Sequence, residues 1–82
     1  MKAQVYVTLK KEVLDPQGDA VRRALESLGF QGVSGVRVGK YIEVDLDEQT
    51  GADDARTQID AMCAKLLANP VIEDFRYDLE ES

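Results

Sequence analysis

Hydrophobic and polar residues alternate from the start of the chain. Over residues 3–10, one face carries Ala3, Val5, Val7 and Leu9, and the other carries Gln4, Tyr6, Thr8 and Lys10. A period of two residues is typical of a strand with one buried face. We therefore predict a half-buried strand over residues 3–10.

A helix is predicted after this strand. Asp15 is placed to be its N-cap and Pro16 its first helical residue, where the missing N–H is harmless. The apolar stripe of the helix recurs at Val21, Ala24, Leu25 and Leu28. Gly29 is expected to end the helix at the C′ position, with Phe30 and Leu25 as the apolar pair of a Schellman ending.

Two further strands are predicted in the middle of the chain. Residues 33–38 form the second strand, and Gly39-Lys40 forms a two-residue hairpin turn, because glycine supplies the positive φ that such a turn needs. The third strand alternates between inward Ile42, Val44 and Leu46 and outward Tyr41, Glu43, Asp45 and Asp47.

A second helix and a last strand complete the pattern. Thr50 is the expected N-cap, and Asp53 and Asp54 are favoured by the positive end of the helix dipole. The helix is expected to bury Ala55, Ile59, Met62 and Leu66, with Cys63 beside them. Asn69-Pro70 should end it, because proline disfavours the α conformation in the residue before it. The last strand is expected to start at Val71 and to place Val71, Phe75, Tyr77 and Leu79 on one face.

The order β-α-β-β-α-β predicts the fold class. We expect an α+β fold, ferredoxin-like or a close variant, with a mostly antiparallel four-stranded sheet and two helices on one face. The open face of the sheet would carry Tyr6, Thr8, Tyr41 and Glu43. The chain has 82 residues, which predicts a single domain. A domain of this size buries only about 60% of the surface of its unfolded chain, so we expect it to be oligomeric or docked on a partner.

Composition removes several classes of function. The chain has 16 acidic and 10 basic residues, a net charge of −6, which disfavours a nucleic-acid ligand. It has no histidine, so a histidine base, a histidine-activated nucleophile and a histidine-ligated metal are excluded. Its single cysteine predicts a reducing compartment. No signal-peptide core is visible, and no apolar run reaches the roughly 20 residues of a membrane span.

Three groups of residues could carry chemistry, and each has a simpler interpretation. Cys63 could be a nucleophile, but it lacks an activating histidine and is expected to be a packed thiol. The acidic residues could bind a cation, but they lack the spacing of a calcium loop and are expected to form a solvated face. This acidic set is Asp45, Asp47, Glu48, Asp53 and Asp54. Residues 35–40 could contact a phosphate, but no helix follows them directly, so an exposed hairpin is expected.

Two sites remain partly unexplained by local structure. Gly18 lies early in a helix, where glycine is unfavourable compared with alanine, so something is expected to approach its backbone closely. Lys65 lies near a helix carboxyl end, where the dipole favours a cation, and a contact role would be additional.

Three segments together resemble one protein family. They are residues 13–18 (VLDPQG), 36–40 (VRVGK) and 62–73 (MCAKLLANPVIE). In this order and spacing they resemble the PurS family, the small subunit of bacterial and archaeal phosphoribosylformylglycinamidine synthase. The resemblance runs from about residue 5 to residue 75. The acidic tail, about residues 78–82, lies outside it.

The resemblance implies a non-catalytic subunit of an ATP-dependent, glutamine-hydrolysing ligase of purine biosynthesis. Such chains associate with themselves, as a dimer or a tetramer, and bridge the glutaminase and synthetase subunits, which supports ammonia transfer. The resemblance places ATP and Mg on the large subunit and implies no cofactor or metal on this chain, no nucleic acid, no membrane and a cytoplasmic location. The motif residues expected to serve as partner contacts or framework are Leu14, Asp15, Pro16, Gln17, Gly18, Arg37, Gly39, Lys40, Lys65, Asn69, Pro70 and Glu73.

Two other functions share the predicted element order. A stand-alone regulatory module of the ACT-like kind would need a ligand pocket, which Gln17-Gly18 could form at the helix start. An RNA-binding domain would need aromatic and basic residues on the sheet, and the acidic balance argues against it.

Overall fold

The computed structural model describes residues 1–80 and has an α+β fold. Its elements are β1 (Lys2–Leu9), α1 (Pro16–Ser27), β2 (Lys40–Asp45), α2 (Ala52–Met62), a π-helical turn (Cys63–Leu67) and β3 (Glu73–Glu80). None of the helices in this part of the chain is long and apolar enough to span a membrane.

β1 is the central strand of the sheet. The strand order is β2-β1-β3, and both neighbours run antiparallel to β1. The alternation of β1 places Ala3, Val5 and Val7 on one face, where all three are fully buried. Because β1 is hydrogen-bonded on both edges and its apolar face is covered, the core is built on this strand.

The sheet has three strands, and the prediction of a four-stranded sheet is wrong. Residues 33–39 pair with no strand, and they run into β2 without a turn or a bend, so the hairpin at Gly39-Lys40 is also wrong. The amide of Val38 donates to the side chain of Asp15 instead of to a neighbouring strand. We name residues 33–39 the arm.

α1 has the ends that its sequence predicts. Asp15 is the N-cap, Pro16 opens the first turn, and Gly29 has a φ of 97°. The amide of Phe30 donates to the carbonyl of Leu25 at 3.1 Å, and the amide of Gly29 donates to that of Glu26 at 3.1 Å. These two bonds are the pair that defines a Schellman ending, so the predicted ending of α1 is confirmed.

α1 nevertheless contributes no side chain to the core. Leu28 is 75% exposed and Val21 is 41% exposed, so the apolar stripe of α1 faces away from the sheet's buried side chains. The expectation that both helices cover one face is therefore wrong. The radius of gyration is 16.1 Å, compared with about 12 Å for a compact chain of this length.

α2 and the π turn cover the apolar face of the sheet. Ile59, Cys63 and Ala68 are buried against β1. Side chains of β2, β3 and the π turn complete this cluster: Ile42, Val44, Leu46, Met62, Leu67, Phe75, Tyr77 and Leu79. Val71 is absent from it and is exposed, because β3 begins at Glu73, which makes the predicted start of the last strand at Val71 wrong.

The π turn changes which leucine faces the core. The amide of Ala68 donates to the carbonyl of Cys63 at 3.0 Å, a bond that spans five residues instead of four. The extra residue shifts the helical phase, so Leu67 packs on the core while Leu66 is 83% exposed. The predicted burial of Leu66 is therefore wrong.

The predicted cap at Thr50 is also wrong, because Gly51 is the N-cap of α2 and the first turn of this helix has no side-chain cap.

The phase shift predicts different costs for two adjacent leucines. Leu67→Ala should lower the free energy of unfolding by about 1–2 kcal/mol, because a half-buried side chain loses its contacts. Leu66→Ala should change it by less than about 0.5 kcal/mol. Urea denaturation of both variants measures the difference, and equal losses would contradict the π turn.

Candidate functional site

The first and second motif segments meet at the carboxylate of Asp15. One oxygen, Oδ1, accepts from the amide of Gly18 at 3.0 Å, and the other, Oδ2, accepts from the amide of Val38 at 2.8 Å. The residue is only 9% exposed. One side chain therefore caps α1 and holds the arm against the start of the helix.

The electrostatics of Asp15 follow from these two bonds. Donation by Gly18 and then by Val38 lowers the pKa of the carboxyl, and the charge of Arg37 lowers it further against the opposing effect of burial. Hydrogen bonds from amides favour the ionised form because they are made to negative charge. Asp15 is therefore a structural anion.

Gly18 is required because the arm lies against its Cα. A Cβ built on Gly18 would lie 2.1 Å from the carbonyl oxygen of Val36 and 2.8 Å from Oδ2 of Asp15. The close approach expected at Gly18 is therefore made by the chain's own backbone. This contact also occupies part of the space in which an ACT-like module would hold a ligand.

Arg37 and Gly39 join the arm to the end of β1. The guanidinium of Arg37 donates to the backbone carbonyls of Leu9 and Lys10. A Cβ on Gly39 would lie 2.3 Å from the carbonyl oxygen of Val7, so only glycine fits this crossing. Both residues act on the protein's own backbone, and a contact of Arg37 with a partner stays a prediction.

The third motif segment reaches the same end of the sheet through Glu73. Its carboxylate accepts from the amide of Asn69 at 2.7 Å and lies 3.5 Å from Nζ of Lys40. The side-chain oxygen of Asn69 accepts from the amide of Val71 at 3.1 Å, which closes the turn around Pro70. Asn69 and Glu73 therefore shape the junction between the π turn and β3.

A cavity of about 230 Å³ lies where the three segments converge. Asp15 and Gln17 come from the first segment, Gly39 and Lys40 from the second, and Glu73 from the third. Gln17 is exposed, and within residues 1–80 its side chain makes no hydrogen bond. Its side-chain amide therefore has hydrogen-bonding groups left to offer a partner.

A wider groove of about 610 Å³ lies on the other side of Asp15. Leu14 and Pro16 border it from the start of α1, and Val36 and Arg37 border it from the arm. Leu14 is 88% exposed. A single exposed leucine is common on protein surfaces, so this side chain by itself does not define a binding surface.

Lys65 and Pro70 lie apart from this cavity, in the exposed part of the third segment. Lys65 forms no ion pair within residues 1–80, and its neighbour Leu66 is exposed beside it. The exposure of Leu66 differs from its predicted place in the core. No signal in the sequence reveals this exposure, because the phase shift depends on the π turn.

The other candidate groups show no reactive arrangement. Burial, and then the charge of Asp60, raises the pKa of the Cys63 thiol, which opposes formation of a thiolate. Within residues 1–80, no three acidic or thiol side chains are grouped so that they could hold a metal ion.

The open face of the sheet carries a small aromatic cluster. The rings of Tyr6 and Tyr41 lie 5.2 Å apart, and the guanidinium of Arg76 lies 4.0 Å from the Tyr6 ring centroid. The hydroxyl of Tyr41 donates to Glu43 at 3.1 Å. The predicted placement of Tyr6, Thr8, Tyr41 and Glu43 on this face is confirmed by the pairing of β1 and β2.

These features define the class of protein. The motif side chains hold backbone segments together at one place. Among residues 1–80, no group of metal ligands is present there. Apolar side chains are left exposed on α1 and at the π turn. The structure is that of a small α+β domain with exposed apolar side chains on α1 and at the π turn and no grouped metal ligands among residues 1–80.

Comparison with known proteins identifies the family. The chain matches the model of PurS, described as phosphoribosylformylglycinamidine (FGAM) synthase, over residues 2–81. It is 50% identical to the PurS subunit of this synthase from Bacillus subtilis (strain 168), across 98% of this chain and 93% of the relative. It is 40% identical to that of Methanocaldococcus jannaschii, across 98% and 95%. The chain belongs to the PurS family of FGAM synthase subunits.

Solved structures share the fold. The structure of B. subtilis PurS matches with a TM-score of 0.86 at 50% identity and covers 98% of each chain. The M. jannaschii PurS structure matches with a TM-score of 0.87 at 41% identity, over 99% of this chain and 96% of the other. A structure of PurLQS from Thermotoga maritima matches with a TM-score of 0.77 at 30% identity, over 94% and 93%.

The close approach at Gly18 predicts a specific cost. Gly18→Ala should lower the free energy of unfolding by about 1–3 kcal/mol, because the added methyl group must displace the arm. Gly35→Ala is the matched control, since nothing lies within 4 Å of its Cβ position. It should be neutral or stabilising by up to about 1 kcal/mol. Equal effects in urea denaturation would contradict the contact.

The lowered pKa of Asp15 predicts a pH-dependent contribution to stability. Because its folded pKa lies below the unfolded value of about 3.9, the stabilisation is present above that value and is lost as pH falls through the folded pKa. The urea midpoint of Asp15→Asn should therefore lie below that of the wild type at pH 7. The gap should narrow below about pH 4. A gap that stays constant from pH 7 to about pH 3 would contradict this contribution.

Proposed function

We propose that this chain joins the glutaminase and synthetase subunits of FGAM synthase and supports the passage of ammonia between them. The observation that carries the proposal is the site itself: three motif segments converge on framework contacts and a shared cavity, without a reactive set among residues 1–80. The similarity to a chain in the T. maritima PurLQS structure supports assembly of this kind.

A bridging subunit contributes by geometry. Ammonia released at one active site is useful only if it reaches the second before it equilibrates with water. A protein that holds two sites in register and excludes solvent raises the effective concentration of ammonia without moving a proton itself. ATP and magnesium belong to the large subunit in this proposal, and the complex works in the cytoplasm, in purine biosynthesis.

Self-association is part of the proposal. The stripe of α1 carries exposed Val21 and Leu28, and Phe30 beyond it is 56% exposed. An amphipathic helix gains most of its stability from packing its apolar face, and α1 supplies nothing to the core of its own chain. Association into a dimer or a tetramer, and docking on the larger subunits, would remove these side chains from water.

The bridging function predicts a selective loss when this chain is omitted. Glutamine-dependent FGAM synthesis by the two larger subunits should fall about tenfold or more, because ammonia is lost between sites. Synthesis from added ammonium chloride should be much less affected, because that route bypasses the transfer. Unchanged glutamine-dependent turnover without the chain would contradict the proposal.

A matched pair of variants locates the contact within the same assay. Gln17→Ala removes the motif amide at the cavity, and Gln31→Ala removes an exposed amide outside the motifs. The first should weaken glutamine-dependent synthesis with the stability of the chain unchanged, and the second should change neither quantity.

A further inference from the structure

The face of the sheet opposite α2 is left uncovered. It consists of residues 2, 4, 6 and 8 of β1 and the residues that pair with them on β2 and β3. Residues paired across neighbouring strands place their side chains on the same face, which makes eleven residues in all. None of the eleven is buried, whereas α2 and the π turn pack on the other side. We name this surface the open face.

The open face is strongly acidic. It carries two basic residues, Lys2 and Arg76, and five acidic ones, which leaves three negative charges in excess. The net charge of the whole chain is −6, so half of it lies on eleven of the 82 residues. The acidic residues of the face are Glu43, Asp45, Asp74, Asp78 and Glu80.

Both basic residues of the open face already have acidic partners on it. Nζ of Lys2 lies 3.3 Å from a carboxylate oxygen of Glu43, and a guanidinium nitrogen of Arg76 lies 3.7 Å from one of Asp78. The other three acidic residues form no ion pair within residues 1–80. The face therefore has carboxylates left for cations that this part of the chain does not supply.

The aromatic cluster shows which kind of cation the open face accepts. The guanidinium of Arg76 lies 4.0 Å from the centroid of the Tyr6 ring. The neighbouring ring of Tyr41 is part of a residue that is 50% exposed, and its hydroxyl donates to Glu43 at 3.1 Å. A second cation could lie against the Tyr41 ring beside this carboxylate, because aromatic faces attract arginine and lysine side chains.

Charge excludes other occupants of the open face. Nucleic acid and anionic lipid would be repelled by the excess of carboxylates. A second copy placed face to face would bring like charges together, which is costly at an interface. Among residues 1–80, no three carboxylates or thiols are grouped to hold a metal ion. A basic protein surface is the occupant that the face complements.

We propose that the open face docks a basic surface of one of the larger subunits of FGAM synthase, with an arginine or lysine side chain against Tyr41. The inference rests on the proposed function, which supplies the subunits that this chain must bind. Complementary charges steer association and fix the orientation of the partners. The open face would then set the register in which the bridging chain lies between the two active sites.

A pair of charge variants tests the docking. Asp45→Asn with Asp74→Asn removes two carboxylates that lack ion pairs within residues 1–80. In a titration of this chain into the two larger subunits, the concentration that half-saturates glutamine-dependent synthesis should rise about tenfold or more. Asp53→Asn with Asp54→Asn removes the same charge from α2, across the sheet, and should stay within about twofold of the wild type.

Two further readouts separate docking from a structural effect. Turnover at saturating concentrations of the Asp45→Asn, Asp74→Asn variant should equal that of the wild type, because the removed carboxylates act only in binding. Added salt should raise the half-saturating concentration of the wild type more steeply than that of this variant, because salt screens exposed charges. Light scattering should show the same oligomeric state for both double variants and the wild type.

The Tyr41 ring is tested by a second pair of variants. Tyr41→Phe keeps the aromatic face and loses the hydrogen bond to Glu43, and Tyr41→Leu loses the aromatic face as well. The half-saturating concentration should rise about two- to fivefold for Tyr41→Leu and should change little for Tyr41→Phe. Equal values for the two variants would contradict a cation against this ring.

The outcomes separate this inference from the proposed function. Equal half-saturating concentrations for the wild type and the Asp45→Asn, Asp74→Asn variant would overturn docking through the open face. Equal weakening by both double variants would also overturn it, because net charge alone would then explain the loss. Either result leaves the bridging function in place, since the wild-type chain still stimulates synthesis. If the wild type gave no stimulation, both the proposed function and this inference would be overturned.

Discussion

The rest of the structure depends on one carboxylate that binds two amides from distant parts of the chain. Asp15 caps α1 through Gly18 and holds the arm through Val38. Because the arm is held there, it enters β2 directly and cannot fold back as a hairpin strand. The three-stranded sheet, its open β2 edge and the cavity between the motif segments all follow from this attachment.

The small core explains why association matters for this chain. Its fully buried side chains come from β1, α2 and the π turn, whereas α1 and the arm are held mainly by hydrogen bonds and backbone contacts. Such a unit has specific shape but little apolar burial of its own. The exposed apolar side chains of α1 and the unpaired edge of β2 therefore favour association, because they stabilise the fold only when a partner covers them.

Local signals in the sequence predicted the parts of the fold that depend on a few adjacent residues. The cap at Asp15, the Schellman ending at Gly29 and the alternation of β1 are all as expected. Two errors have one kind of cause. The valines of the arm have strand propensity but no partner strand within the chain, and Leu66 has helical spacing but follows a five-residue turn. Propensity does not show whether a partner strand is present, and helical spacing does not show that a π turn shifts the helical phase.

The sequence by itself determined both helices and the three strands that pair in the sheet, both ends of α1, the absence of histidine chemistry and the resemblance of three motif segments to one family. It also placed Asp15, Gly18, Arg37 and Gly39 among the candidate residues. Only the tertiary structure decided that these residues hold the arm to α1 and to the end of β1, and that the β2 edge stays open. Hydrogen bonds and close backbone contacts between segments some twenty residues apart depend on where the folded chain returns, which no local pattern encodes.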